Sequence, residues 1–73
     1  MEEYLRIIIE QYCRKHPGTQ KAKKLSRLVE MSYDIAAEGT DADAIYLENA
    51  IQREKDPELK EALQDLDDFL FGW

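Results

Sequence analysis

The chain has little cysteine, proline or glycine: one, two and three residues respectively among 73. A single cysteine excludes an intrachain disulfide, as is usual for proteins of a reducing compartment. No apolar run approaches the roughly 18 residues that cross a bilayer, which argues against a membrane-spanning helix. The start, Met1-Glu2-Glu3, is acidic, whereas a secretory signal peptide begins with positive charge. We therefore expect a cytoplasmic protein without a membrane segment.

The sequence also lacks the motifs of an enzyme or a metal site. Cys13 and His16 are spaced for one helix face, but a structural zinc site needs four ligands and the sequence holds no other cysteine or histidine. Asp67 and Asp68 are adjacent, and adjacent helical residues point in different directions, so they do not form a catalytic carboxylate pair. We expect a non-catalytic protein with no metal and no cofactor.

Regular hydrophobic spacing is what the chain does have, and it predicts an all-α fold. Apolar residues make up 44% of the sequence, and the charged fraction of 36% exceeds that of an average domain. We predict a single helical domain over residues 1–73, folded as a compact three- or four-helix bundle. The predicted helices cover residues 2–15, 19–38, 41–55 and 57–71.

Turn and capping residues set these predicted boundaries. A helix ends before a proline, glycine favours the turn that follows, and threonine or aspartate caps the start of a helix. The residues concerned are Pro17, Gly18, Thr19, Gly39, the capping-box pair Thr40 and Asp43, and the pair Asp56-Pro57.

The same spacing selects the residues expected in the core. In the second helix the apolar stripe continues to Ile35 and Ala36, so the helix is predicted to reach residue 38. In the third helix, the least apolar of the four, Ile45 is expected to face inward. In the fourth helix Phe69 is expected to extend the core stripe.

Charge is divided unequally along the chain. Residues 1–27 hold seven Lys/Arg against three Asp/Glu, a balance of +4, and residues 28–73 hold three against thirteen, a balance of −10. Together they give the net charge of −6. Three lysines near the start of the second helix oppose its dipole, and a local rule broken in this way tends to mark function. The asymmetry therefore points to a macromolecular partner.

The basic segment, residues 14–27, leaves three interpretations open. Its cations can contact nucleic-acid phosphates, contact an acidic protein, or form a solvated face that is neutralised by the acidic half of the chain. The net charge of −6 opposes binding to a duplex. The six cations are Arg14, Lys15, Lys21, Lys23, Lys24 and Arg27.

We predict eight partner-contact residues. The apolar candidates flank the core stripes near the two ends of the chain, because aromatic anchors carry much of the binding energy at interfaces. The alternative for the two C-terminal aromatics is that they fold back and fill a small core. The apolar candidates are Tyr4, Ile7, Phe71 and Trp73, and the charged candidates are Arg14, Lys21, Lys23 and Lys24.

In size, acidity and lack of catalytic residues the chain resembles the small phage-encoded proteins that bind and inhibit bacterial RNA polymerase. The resemblance implies an inhibitor or regulator that binds a large polymerase subunit in the host cytoplasm and interferes with promoter recognition. We expect the protein to be a monomer. The expected partner is thus a larger host protein with basic surfaces. Two alternatives remain: a helix-turn-helix-like DNA-binding regulator that uses residues 14–27, and an antitoxin-like homo-oligomer that pairs through the first helix.

Overall fold

The computed structural model describes residues 1–34 and 39–72. It contains four helices, α1 (Glu3–Lys15), α2 (Gln20–Met31), α3 (Asp41–Arg53) and α4 (Pro57–Phe71). These described residues contain no strand, and the predicted all-α bundle is confirmed. α4 packs against α1 and α3, so the bundle has four members rather than three.

The predicted starts of α2, α3 and α4 are confirmed, and each of these starts has a local capping hydrogen bond. Thr19 and Asp56 each accept a hydrogen bond from a backbone N–H in the first turn of the helix that follows. Thr40 and Asp43 form a reciprocal capping box, in which each side chain accepts a hydrogen bond from the other residue's backbone N–H. Gly18, between α1 and α2, has a φ of 85°, a left-handed conformation that glycine adopts without steric cost.

The predicted end of the second helix is wrong. α2 stops at Met31, and the next two residues form a turn. The Ser32 hydroxyl donates a hydrogen bond to a carbonyl one turn back and accepts one from Nε of Arg6 at 3.1 Å, so Ser32 is buried against α1. A serine that bonds to the backbone in this way competes with continuation of the helix. The predicted core residues Ile35 and Ala36 lie outside the described residues.

The core is aliphatic and lies mainly between α1, α2 and α4. α1 packs against both α2 and α4, whereas α3 packs chiefly against α4. Among the described residues, α3 contributes one side chain to the buried hydrophobic cluster, in keeping with its low apolar content. The cluster consists of Leu5, Ile9, Leu25, Leu28, Val29, Leu47, Leu59, Ala62, Leu63 and Leu66.

Two residues predicted to face the core are exposed instead. Ile45 is 60% exposed because α3 is covered chiefly on the side that meets α4. Phe69, in the last turn of α4, is 49% exposed. The helical spacing identified both as apolar positions, but it could not tell which sides of α3 and α4 would have a neighbour.

In contrast to Ile45 and Phe69, Phe71 at the end of α4 is half-buried and packs against the core. Its ring lies where a Cβ on Gly39 would stand, with Met31 close by. Gly39 was predicted to end the second helix as its C-terminal glycine, but its φ is not positive and α2 ends earlier. The residue is glycine because an aromatic ring approaches its backbone closely.

Candidate functional site

Three cations of the basic segment are used inside the molecule. All three project from α2, and their partners lie on α3 or directly after it. We call these contacts the α2–α3 seam. They are the ion pair of Lys21 with Glu54 (Nζ to Oε1, 2.8 Å), the ion pair of Arg27 with Asp43, and the Lys24 ammonium 4.6 Å from the centroid of the Tyr46 ring.

The pKa values of the seam carboxylates follow from these contacts. The hydrogen bond from Arg27 is the main influence on Asp43 and holds its pKa below the ordinary 3.8, although burial opposes it. Burial raises the pKa of Glu54, but hydrogen bonds from Lys21 and from the Asp56 backbone outweigh burial and leave the pKa below the ordinary 4.5. Both carboxylates are therefore charged at neutral pH.

The other cations of the basic segment remain at the surface. Arg14, Lys15 and Lys23 are exposed and form no ion pair or side-chain hydrogen bond within residues 1–34 and 39–72. They surround the Pro17-Gly18 turn, beside a shallow depression of about 500 Å³ that Lys23 lines. Of the four predicted charged contacts, Arg14 and Lys23 are thus available to a partner, whereas the seam occupies the other two.

Two of the predicted apolar contacts lie together on the outward face of α1. Tyr4 is 57% exposed and Ile7 is 44% exposed. They alternate with the buried Leu5 and Ile9, whose side chains point into the bundle. The fold therefore fills its core with one face of α1 and leaves two large side chains on the other.

Phe69 of α4 lies near the same end of α1. The Asp65 carboxylate, one helical turn before Phe69, accepts a hydrogen bond from the backbone N–H of Glu2 at 3.2 Å. That bond places the end of α4 beside the beginning of α1. We call Tyr4, Ile7 and Phe69 the apolar patch.

A row of carboxylates follows the exposed side of α4 towards the apolar patch. Its members are separated by three, four and three residues, which places them on one face of the helix. At a rise of about 1.5 Å per residue the row spans about 15 Å. We call it the acidic ridge; it consists of Glu58, Glu61, Asp65 and Asp68.

The C-terminal aromatics are arranged differently from the prediction. Phe71 was predicted to contact a partner, but it is half-buried, and the fold-back alternative describes it better. Trp73 lies outside the described residues. Sequence reasoning missed Phe69, which sits at the edge of the leucine stripe of α4. Helical spacing alone carried no signal that this position would be exposed, because Phe69 continues the apolar stripe of α4.

Cys13 lines a groove of about 300 Å³ between α1 and α2. Its thiol donates a hydrogen bond to the Ala22 carbonyl at 3.4 Å, and burial, helped by the charge of Glu10, raises its pKa. A thiol with a raised pKa is a weak nucleophile at neutral pH. The His16 ring packs against Tyr12, with centroids 4.6 Å apart. Across the described residues, no group of three or more His, Cys, Asp or Glu side chains is arranged to hold a metal ion.

Comparisons with protein-family models, with curated proteins and with solved structures gave no match to this chain. Among the described helices, none combines the length and the apolar character that a bilayer span requires. The apolar patch and the acidic ridge are the surface features that bear on function.

Proposed function

We propose that the protein is a small non-catalytic interaction module that binds a larger protein through the apolar patch. The observation that carries the proposal is the joint exposure of Tyr4, Ile7 and Phe69 at one end of the α1–α4 pair. A domain of this size has few large apolar side chains with which to fill its core. Three such side chains exposed together at the surface therefore indicate an interaction surface. Aromatic and aliphatic anchors within a charged rim are the usual composition of an interface hot spot.

Charge complementarity selects the class of partner. The patch is bordered by Glu2 and Glu3 at the start of α1 and by Asp68 beside Phe69, and the whole chain carries −6. A partner with a basic surface would be attracted at long range, and its association would weaken as salt is added. Proteins that handle nucleic acids carry such surfaces, and a bacterial RNA polymerase is the candidate that the resemblance suggests. The effect would be to cover a surface that nucleic acid or another factor needs.

DNA binding through residues 14–27 is the second candidate, and the exposure of Arg14, Lys15 and Lys23 around one turn favours it. The seam counts against it, because Lys21, Lys24 and Arg27 already have partners inside the molecule. Three remaining cations on a chain of net charge −6 give a small electrostatic contribution to phosphate binding.

The test is capture of bacterial lysate proteins on the immobilised full chain, washed at low and then at high salt. We compare the wild type, the double variant Tyr4→Ser/Ile7→Ser, and Ile45→Ser. Ile45 is the matched control because it is equally exposed but lies on α3. A protein that high salt releases, that the double variant fails to retain and that the control retains would support the proposal.

Two other results would contradict it. Retention of nucleic acid alone, removed by nuclease and weakened by Lys23→Ala, would favour the DNA-binding regulator. A dimer by sedimentation that Ile7→Glu dissociates would favour the homo-oligomer.

A further inference from the structure

We infer that the segment recognised by this surface is a basic amphipathic helix that lies along the acidic ridge, with its apolar side on the apolar patch. The inference rests on the proposed function and specifies the chemistry of the partner. It follows from the spacing of the ridge and from the apolar groups beside it. It also follows from the pairing of this chain's own basic helix, α2, with α3 inside the molecule.

The spacing of the ridge favours a helix over a strand. Successive carboxylates of the ridge rise by about 4.5 to 6 Å along α4, at about 1.5 Å per residue. A partner helix that carries Lys or Arg at every third or fourth position has the same rise between its cations, so about three turns can stay in register with the whole ridge. An extended strand places same-face residues about 6.8 Å apart, and its cations drift out of register over 15 Å.

Apolar groups lie on the α1 side of the ridge at both of its ends. Phe69 and Tyr4 stand at one end. At the other end a groove of about 370 Å³ separates α1 from the start of α4, with the half-buried Ile8 and Tyr12 among its lining residues. An apolar stripe on the partner helix can therefore contact α1 while its cations face α4.

One part of the groove opposes a basic partner. Lys15 lines it near Glu58, at the C-terminal end of α1. We therefore expect the cations of the partner to concentrate over the three ridge carboxylates that lie farther along α4, at residues 61–68. Asp65 of this set also accepts the Glu2 N–H, which leaves Glu61 and Asp68 as its fully exposed members.

A second copy of the chain is a poor occupant of this surface. Symmetric pairing through the ridge would bring two rows of carboxylates together, and like charges repel. The exposed cations that a second copy could offer are Arg14, Lys15 and Lys23, which surround a turn and do not form a row along one helix. The other three cations of its basic segment are engaged in the seam. The occupant is therefore a different protein.

The test is selection of binders from a random peptide library displayed on phage, with the folded full chain as bait. The peptides expected to be enriched carry Lys or Arg at every third or fourth position, interleaved with apolar residues at the same period. The affinity of the best synthetic peptide is then measured by fluorescence anisotropy against four variants, and circular dichroism confirms that each variant is folded.

The four variants form two matched pairs. Phe69→Ala on the patch is compared with Ile45→Ala on α3, which removes an equally exposed side chain. Glu61→Gln/Asp68→Asn on the ridge is compared with Glu30→Gln/Asp41→Asn on α2 and α3, which changes the net charge equally at exposed positions away from α4. We expect Phe69→Ala to weaken binding by about tenfold or more and the ridge pair by about threefold or more, with both controls within about twofold of wild type.

Several results would overturn the inference. Enriched peptides without basic helical spacing would do so, and so would equal losses in the ridge pair and the control charge pair, which would show attraction to net charge alone. A concentration-dependent dimer by sedimentation, lost in Phe69→Ala, would identify a second copy as the occupant. If no peptide is enriched while capture of a lysate protein still depends on Tyr4 and Ile7, the inference fails and the proposed function stands.

Discussion

The two sides of this bundle are held together by different forces. α1 and α4 meet through aliphatic side chains such as Ile9, Leu63 and Leu66, all fully buried. The α2–α3 seam consists of two ion pairs and one cation–ring contact. Apolar burial contributes stability in proportion to area and responds little to salt or pH, whereas partly exposed ion pairs contribute little and respond to both. Two of the three lysines that oppose the α2 dipole, Lys21 and Lys24, thus have a structural use, which is to connect α2 to α3.

The largest effect is expected from the apolar side. Leu63→Ala removes a fully buried side chain from the α1–α4 interface and should cost about 2–5 kcal/mol in the free energy of unfolding. Urea unfolding followed by circular dichroism measures the loss. Ile45→Ala, at an exposed position, should change the free energy by less than about 0.5 kcal/mol. Equal losses in the two variants would mean that the aliphatic cluster does not hold the fold.

The next effect is expected at the strongest point of the seam. Asp43 is 7% exposed, accepts from Arg27 and completes the capping box of α3, so Asp43→Asn should cost about 1–2 kcal/mol in the free energy of unfolding. Asp41→Asn is the matched control because Asp41 shares the first turn of α3 and the same dipole but is exposed. A loss at Asp41 as large as that at Asp43 would assign the effect to the dipole instead.

The pH dependence of stability separates the seam from the core. The pKa values of Asp43 and Glu54 are lowered by folding, so their contribution is present above the ordinary values of 3.8 and 4.5 and is lost as the pH falls through and below them. We expect the urea midpoint to fall with acidification in that window. In Glu54→Gln and Asp43→Asn the fall should be shallower than in wild type. Parallel curves would show that the seam carboxylates have ordinary pKa values.

The smallest effect is expected for the Lys21–Glu54 pair. Its side chains are 36% and 11% exposed, so solvent screens it in part and a coupling of about 0.2–1 kcal/mol is expected. A double-mutant cycle with Lys21→Met and Glu54→Gln measures this coupling, which should shrink between about 0.1 M and about 1 M salt. Lys23→Met is the control, because Lys23 is exposed and has no ion-pair partner within the described residues. A coupling that salt leaves unchanged would mean that the contact is not mainly electrostatic.

Much of the fold could be predicted because its signals are local. Thr19, the capping box at Thr40 and Asp43, and Asp56-Pro57 start their helices through hydrogen bonds within a few residues, which the sequence displays directly. The end of α2 is different. It depends on Ser32 meeting Arg6 of another helix, and no glycine or proline marks it.

Less of the candidate site could be predicted, because exposure depends on which helices become neighbours. Tyr4 and Ile7 were identified because their place beside the α1 core stripe follows from helical spacing alone. Phe69 was expected in the core and is exposed, whereas Phe71 was expected to contact a partner and packs on Gly39. The use of Lys21 within the molecule required knowing that Glu54 would face it.

The packing of the Phe71 ring on Gly39 constrains how this sequence can diverge. Any side chain at position 39 would collide with the ring, so Gly39→Ala alone should be selected against while Phe71 is present. A smaller residue at position 71 removes the ring, after which position 39 can accept residues other than glycine. The two sites, 32 residues apart in the chain, are therefore expected to be coupled, and a side chain at position 39 should be accommodated more easily once the residue at position 71 is small.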